Sequence, residues 1–280
     1  MAARFALALS ILLMNAQAAS PILVHGHRGA RAVRPENTMP AFEYALKIGA
    51  DVLELDLAVT KDNVLVVSHD PKLSEAICTA PAGWKGTNVI REMTLDQLRL
   101  WDCGAKRNPQ FPRQEPVPGT KAPTLDEVFA LAPRGTFEFN VETKIFAKQP
   151  ELTPSPEEFS RLLLEAIRKH KLEKRVIVQS FDFRTLRAMK AMAPEIRLSA
   201  LFEPFGTWDP VKATVDLGAP IISPHYRLVN PGFVERAHKA GLQVVPWTAN
   251  EEAEWRKLVD AKVDAIISDD PAALLAWLKR

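Results

Sequence analysis

Residues 22–59 read ILVHGHRGARAVRPENTMPAFEYALKIGADVLELDLAV. The stretch opens on a short apolar run that gives way to His25, His27 and Arg28 at a glycine turn. It closes on "VLELDLAV" (52–59), where leucine alternates with acid. Between them, "MPAFEYALKIG" (39–49) has apolar residues at helical spacing and ends on a glycine, as helices prefer. Strand, helix and strand in that order predict a parallel pair with the helix as crossover. The alternation continues through "FEFNVETK", "VIVQSF", "RLSALF", "PIISPH", "QVVPWT" and "DAIISDD", with amphipathic stretches between. Eight such units predict an α/β fold closed into a (β/α)8 TIM barrel. An open doubly wound sheet fits less well, since no G-x-G-x-x-G follows the first strand. One segment breaks the rhythm: "NVLVVSHD" (63–70) follows the second strand through Asp62-Asn63, a tight hairpin turn. An extra antiparallel strand ending at His69 is therefore predicted. The Pro-rich residues 71–123, with one short helix in "TLDQLRLWD", read as an insertion lying over the active-site face.

The chain has 280 residues, 47% hydrophobic and 25% charged, with a formal net charge of +2. One barrel of about 250 residues uses nearly all of it, and the interspersed charges point to neither nucleic acid nor an anionic membrane. Residues 1–18 read as a cleavable leader: basic "MAAR", apolar "FALALSILLM" and the A-x-A of Ala16-Gln17-Ala18. The apolar run is shorter than the ~20 residues that span a bilayer. A mature chain beginning near Ala19 is thus expected to be exported, periplasmic or secreted, with residues 19–280 as one barrel domain and no stable membrane insertion. Cys78 and Cys103 are candidates to pair in an oxidising compartment. Two unrelated small residues is the alternative, and neither has CxxC spacing.

In such a barrel the C-terminal strand ends build the site. Glu54 and Asp56 share a face of the second strand, and Glu142 ends the next parallel one. Three carboxylates crowded at adjacent strand ends call for a cation, and an all-oxygen set suits Ca²⁺ or Mg²⁺ rather than zinc; Ca²⁺ is the first choice. His27 and His69 form a candidate acid–base pair, with Arg28 and Lys144 supplying positive charge beside the metal. Together they point to phosphoryl chemistry. "PENT" (35–38) reads mainly as a helix start, capped by Asn37 or Thr38, with Glu36 also ordering Arg28 or a site histidine. Gly29 is expected to let the backbone turn close to substrate. His25 shares a face with His27 and reads as packing below the site.

The run "HRGA…PENTMPAFEYALKIGADVLELDLAVTKDNVLVVSHD", followed by "FNVETK", "VIVQSF", "VVPWTAN" and "VDAIISDDP" in order, resembles the motifs of the glycerophosphodiester phosphodiesterase family over residues 22–271. The resemblance implies a metal-dependent barrel that hydrolyses glycerophosphodiesters to sn-glycerol 3-phosphate and an alcohol. Carried over, His27 and His69 are its acid–base pair, and Glu54, Asp56 and Glu142 its metal ligands. Arg28 and Lys144 hold the phosphate, while Phe181 and Trp247 line the glycerol or leaving-group side. The departures are Asn63 where the family has Gly, Thr143 in "VETK" where it has an aliphatic residue, and Arg31 and Arg34 where smaller or apolar residues are usual.

Other classes compete. His25-x-His27 resembles the start of zinc amidohydrolase barrels, but the middle strands offer no further histidines. A phospholipase D-like enzyme acting on lysophospholipids or sphingolipids would keep the fold. A non-catalytic binding protein would have no use for the histidine pair.

Overall fold

The leucines of "VLELDLAV" sort the barrel into inside and outside. In the computed structural model, which describes residues 22–207 and 209–279, Leu53, Leu55 and Leu57 are fully buried with Phe42, Phe129, Phe139 and Phe159. That core lies between the sheet and its surrounding helices. The alternate positions, Glu54 and Asp56, therefore face the barrel interior. The proposed leader, residues 1–18, lies outside the described residues.

The chain runs β1 (Leu23–Gly26), α1 (Met39–Ile48), β2 (Val52–Val59), β3 (Leu65–Val67), α2 (Leu95–Leu98), α3 (Leu125–Phe129) and β4 (Glu138–Thr143). It continues through α4 (Pro156–Lys169), β5 (Val176–Ser180), α5 (Phe183–Met192), β6 (Arg197–Phe202) and α6 (Pro210–Leu217). Then come β7 (Ile221–Pro224), α7 (Pro231–Lys239), β8 (Gln243–Val244), α8 (Glu252–Asp260), β9 (Ala265–Ser268) and α9 (Pro271–Leu278). The strands lie in the order β8-β7-β6-β5-β4-β2-β1-β9, each pair parallel. Across the remaining seam, the N–H groups of Asp264 and Ile267 donate to the carbonyls of Val244 and Pro246, both at 3.0 Å, and Ala249 N–H donates to Ile267 at 3.1 Å. These bonds bring the two ends of the sheet together into the eight-stranded barrel that the repeats predicted.

Four helices start alike. Ser155, Asp209, Asn230 and Asp270 each accept a first-turn N–H with the side chain and precede a proline. Such caps satisfy donors at a helix start while the proline has none to leave bare. At α1, Thr38 occupies the capping position without a side-chain cap, and Asn37 is used elsewhere.

The predicted hairpin is present as β3 antiparallel to β2. Thr60 N–H donates to Val64 O at 3.0 Å, so the loop is Lys61-Asp62-Asn63, with Asn63 left-handed at φ 60°; asparagine tolerates that conformation well. The segment after β3 has a core of its own. Leu73, Ile90, Met93, Leu98 and Trp101 pack on Ala58 and Val66, and Cys78 is bonded to Cys103.

This insertion packs at the C-terminal end of the strands, beside the β1–α1 loop. Among the described residues, none between 71 and 123 lines the central cavity. The insertion grips the β1–α1 loop: Gln114 Nε2 donates to the carbonyls of Arg31 (2.7 Å) and Arg34 (3.0 Å), Phe111 lies under the Arg31 guanidinium, and Arg113 pairs with Asp270. The backbone carbonyls of the β1–α1 loop need partners, and the insertion supplies them through Gln114.

Candidate active site

The site starts where β1 ends. Gly29 has φ 83°, and a Cβ there would lie 2.7 Å from Ala41 C and 2.9 Å from Phe42 N. The glycine thus lets the loop pack on the start of α1, not on substrate. Arg28 is left-handed at φ 50°, and its N–H donates to Glu54 Oε2 at 2.8 Å. Register sets the next contact. Gly26 pairs with Ser268, so His27 meets Asp269, with Nδ1 2.5 Å from Oδ1. Asn250 Nδ2 donates to the other oxygen of Asp269 at 2.8 Å. The Nε2 of His27 points towards Glu54, 3.9 Å from Oε2. Burial lowers the His27 pKa against the upward pull of Asp269, leaving a neutral imidazole whose orientation a carboxylate fixes.

Asp56 pairs in register with Glu142, and Glu54 with Asn140. The three carboxylates are buried, with ligand oxygens all within 4.8 Å of one another. Arg28 Nε lies 3.3 Å from Asp56 Oδ2. Lys144 Nζ lies 3.2 Å from Asp56 Oδ1 and 2.9 Å from Glu142 Oε1. Asn37 Nδ2 donates to Asp56 Oδ2 at 2.9 Å, the task that takes it away from capping α1. Burial and the neighbouring Asp56 charge push the Glu54 carboxyl well up, and burial raises Glu142. Against the same burial, Lys144 and Arg28 hold Asp56 well down. Asp56 Oδ1 is buried yet accepts no hydrogen bond. A buried oxygen with an ion pair but no hydrogen bond, like charges at short range and an all-oxygen donor set fit a hard divalent cation. Among the described residues this acidic trio is the candidate metal group, and it contains no histidine.

Beneath the trio runs a buried polar chain. Gln179 Nε2 donates to Glu54 Oε1 at 2.8 Å, Asn140 Nδ2 donates to Gln179 Oε1 at 2.9 Å, and His25 Nδ1 lies 3.5 Å from Asn140 Nδ2. Burial pushes His25 down to about 3, so it stays neutral. Packing below the site is its place, which removes the feature behind the zinc reading.

Above the trio opens a cavity of about 450 Å³ lined by both His27 and His69, by Arg28 and Lys144, and by Phe181 and Trp247. His69 Nδ1 is 2.7 Å from Asp70 Oδ1, and the Phe181 and Trp247 rings meet edge to face at 5.3 Å. Glu36 stands behind the cavity: its Oε1 accepts from Arg28 Nη1 at 2.5 Å, while its Oε2 takes Arg31 Nη2 at 3.1 Å and Asn108 Nδ2 at 3.0 Å. Every side chain singled out for the site is thus brought to this mouth or directly behind it.

Sequence reasoning missed the holders. Asp269, Asn250 and Gln179 had no assigned role and Asn37 had only that of a helix cap, although the β1–β9 register makes Asp269 a neighbour of His27. Asn37 looked like a cap because its local pattern is that of one. Glu203, at the end of β6, also lines the cavity and carried no motif at all.

Residues 27–273 match the Glycerophosphoryl diester phosphodiesterase family. A glycerophosphodiester phosphodiesterase from Caldanaerobacter subterraneus subsp. tengcongensis is 34% identical over 258 residues, which is 92% of this chain and 98% of the relative. One from Bacillus subtilis is 31% identical, covering 89% of this chain and 84% of its own length. A crystal structure from Silicibacter pomeroyi DSS-3, of a protein assigned as a glycerophosphoryl diester phosphodiesterase, superposes with a TM-score of 0.87 at 30% identity. It covers 93% of this chain and 94% of that one.

Proposed function

From the premise that the chain belongs to the glycerophosphoryl diester phosphodiesterase family and is a phosphoric diester hydrolase, we propose that it cleaves glycerophosphodiesters by metal-assisted histidine acid–base catalysis. The products are sn-glycerol 3-phosphate and an alcohol. The observation that carries this reading is that both histidines line the one cavity that opens above the acidic trio.

Glu54, Asp56 and Glu142, whose ligand oxygens all lie within 4.8 Å of one another, are proposed to hold one divalent cation, Ca²⁺ in preference to Mg²⁺. When bound, the cation neutralises phosphate oxygens as charge builds in the transition state. Arg28 and Lys144 clamp the phosphate from either side of Asp56. Asp269 accepts the Nδ1 proton of His27, so its bare Nε2 takes the proton of the attacking water. As the new P–O bond forms and the ester bond breaks, His69 gives a proton to the departing alkoxide at the open side of the cavity. Phe181 and Trp247 wall the organic part of the substrate. Export is proposed for the chain as a whole, and N-terminal sequencing of protein recovered outside the cytoplasm, beginning near Ala19, checks it.

The test is glycerol 3-phosphate release from several glycerophosphodiesters by chelated protein, with Ca²⁺, Mg²⁺ or Zn²⁺ added back. Activity restored by Ca²⁺ above Mg²⁺, and not by Zn²⁺, is expected. Turnover of lysophosphatidylcholine without turnover of any glycerophosphodiester would overturn the substrate assignment.

A further inference from the structure

Arg31 is one of the departures from the family pattern, and the proposed reaction gives it no work. Its side chain nevertheless reaches the site. It lines the cavity beside His27 and Arg28, and only 13% of it is exposed. Its Nη2 lies 3.1 Å from Glu36 Oε2, and its Nε lies 3.9 Å from Asp269 Oδ1. Each of these carboxylates is itself a holder. Asp269 Oδ1 fixes Nδ1 of His27, and Glu36 Oε1 fixes Nη1 of Arg28. Among the described residues no other side chain pairs with both.

The chemistry of the side chain suits that position. A guanidinium presents its donors from a rigid plane, so one group faces two carboxylates at once, whereas an ammonium is a point charge. The insertion sets the plane. Phe111 lies under it, with Cζ 4.5 Å from the ring centroid, and Gln114 Nε2 donates to the carbonyl of Arg31 at 2.7 Å. Gln114 Oε1 in turn accepts from Asn108 N–H at 2.8 Å, and Asn108 Nδ2 donates to Glu36. The ring, the amide and a Glu36 donor thus come from one folded turn, residues 108–114. Arg31 Nε is buried and faces Asp269 without a hydrogen bond. A buried donor left so costs stability, and stability alone would not select it.

We propose that Arg31 is a positioning residue: it braces Asp269 and Glu36, and through them His27 and Arg28, and so carries the hold of the insertion to the reacting groups. This rests on the hydrolase reading and deepens it. Two effects follow from one side chain. Without the brace at Asp269 the His27 imidazole loses its fixed orientation, which lowers kcat. Without the brace at Glu36 the Arg28 clamp loosens, which raises KM.

The experiment measures kcat and KM for a glycerophosphodiester with metal-loaded wild type, Arg31→Met, Arg31→Lys, Phe111→Leu and the Arg31→Met, Phe111→Leu double variant. Arg31→Met should lower kcat about tenfold and raise KM about fivefold. Phe111→Leu should shift both in the same directions, about threefold, and add nothing in the double variant. It also carries the test alone if Arg31→Met fails to fold. Arg31→Lys keeps the charge without the fork, so wild-type kcat and KM in that variant would overturn the brace. A readout that needs no turnover separates this claim from the hydrolase reading. The Nδ1 proton of His27, a low-field NMR signal identified by its loss in His27→Ala, should exchange faster with water in Arg31→Met and in Phe111→Leu. If no diester is turned over, the hydrolase reading falls, while that faster exchange still upholds the brace. Unchanged kcat and KM in an active enzyme, or a His27 signal that both substitutions leave as in wild type, overturns it.

Discussion

On the β1–β2–β4 side of the mouth each polar side chain is held by another. His27 leans on Asp269, Asp269 on Asn250, Arg28 on Glu36 and Asp56, and Glu54 on Gln179. On the β5–β8 side, Phe181 stands open, and only Trp247 is tied down, by a single indole hydrogen bond. The difference fits the work proposed for each side. Charge that must meet a transition state is most effective when its dipoles and carboxylates are already in place and need not reorganise. Recognition of an organic group needs a surface with the right character and room to enter, and tolerates looser fixing. If the two halves differ in this way, substitutions on the first should strike kcat and metal affinity, and those on the second KM and selectivity.

The sharpest way to break that comparison is at His27. Its Ala variant should lose about a thousandfold in kcat, the middle of the range for a general acid or base. Calorimetric Ca²⁺ affinity should remain nearly intact, because His27 is not in the trio. Trp247→Ala should instead raise KM for glycerophosphocholine about tenfold, with kcat changed far less. Glycerol 3-phosphate release measures both. Equal damage to kcat from the two variants would erase the division between the halves.

A smaller effect is expected one layer down. Gln179→Leu removes the donor to Glu54 Oε1 and leaves Asn140 facing an apolar side chain. Holders of metal ligands typically matter by about tenfold in affinity, so Ca²⁺ binding by calorimetry should weaken by roughly that factor. Gln179→Glu should be worse, since it sets a fourth carboxylate against Glu54. An unchanged Ca²⁺ affinity in both would reduce the His25–Asn140–Gln179 chain to packing.

How far sequence carried the fold and the site follows the range of each signal. The strands were legible because leucine and acid alternate with period two in "LELDL", a local pattern. The carboxylates were legible because that pattern puts acids inside a barrel. Asp269 and Gln179 were not, because their roles depend on which strand lies beside which, and register is a property of the closed sheet. Asn37 misled for the opposite reason: its local context is that of a helix start, but the bond to Asp56 comes from a strand nineteen residues away in sequence. The insertion was legible as a unit but not in its contacts. Its Pro-rich composition and aromatic residues announced a separate packed segment, and nothing local could say which loop it would grip.

That grip supplies the weakest of the expected effects. Asn108 donates to Glu36 Oε2, and Glu36 in turn holds Arg28. An Asn108→Ala substitution removes one hydrogen bond to a charged acceptor, two contacts away from where Arg28 is proposed to hold the phosphate. Glu36 keeps Arg31, so Arg28 should lose precision but not its partner. The expected result is a KM about fivefold higher, or ~1 kcal/mol, with kcat little changed. The pH dependence gives a second check. Burial alone would raise the Glu36 carboxyl, but Arg28 and Arg31 more than offset it and hold it below its ordinary value of 4.5. A carboxylate depressed by folding stabilises the folded state fully above its unfolded pKa, and that stability is lost as pH falls through the folded value. Wild type should therefore exceed Glu36→Gln in thermal stability near neutral pH, and the gap should close only below about pH 4.5. A gap that already closes between pH 6 and 7 would show that Arg28 and Arg31 do not hold the Glu36 carboxyl down.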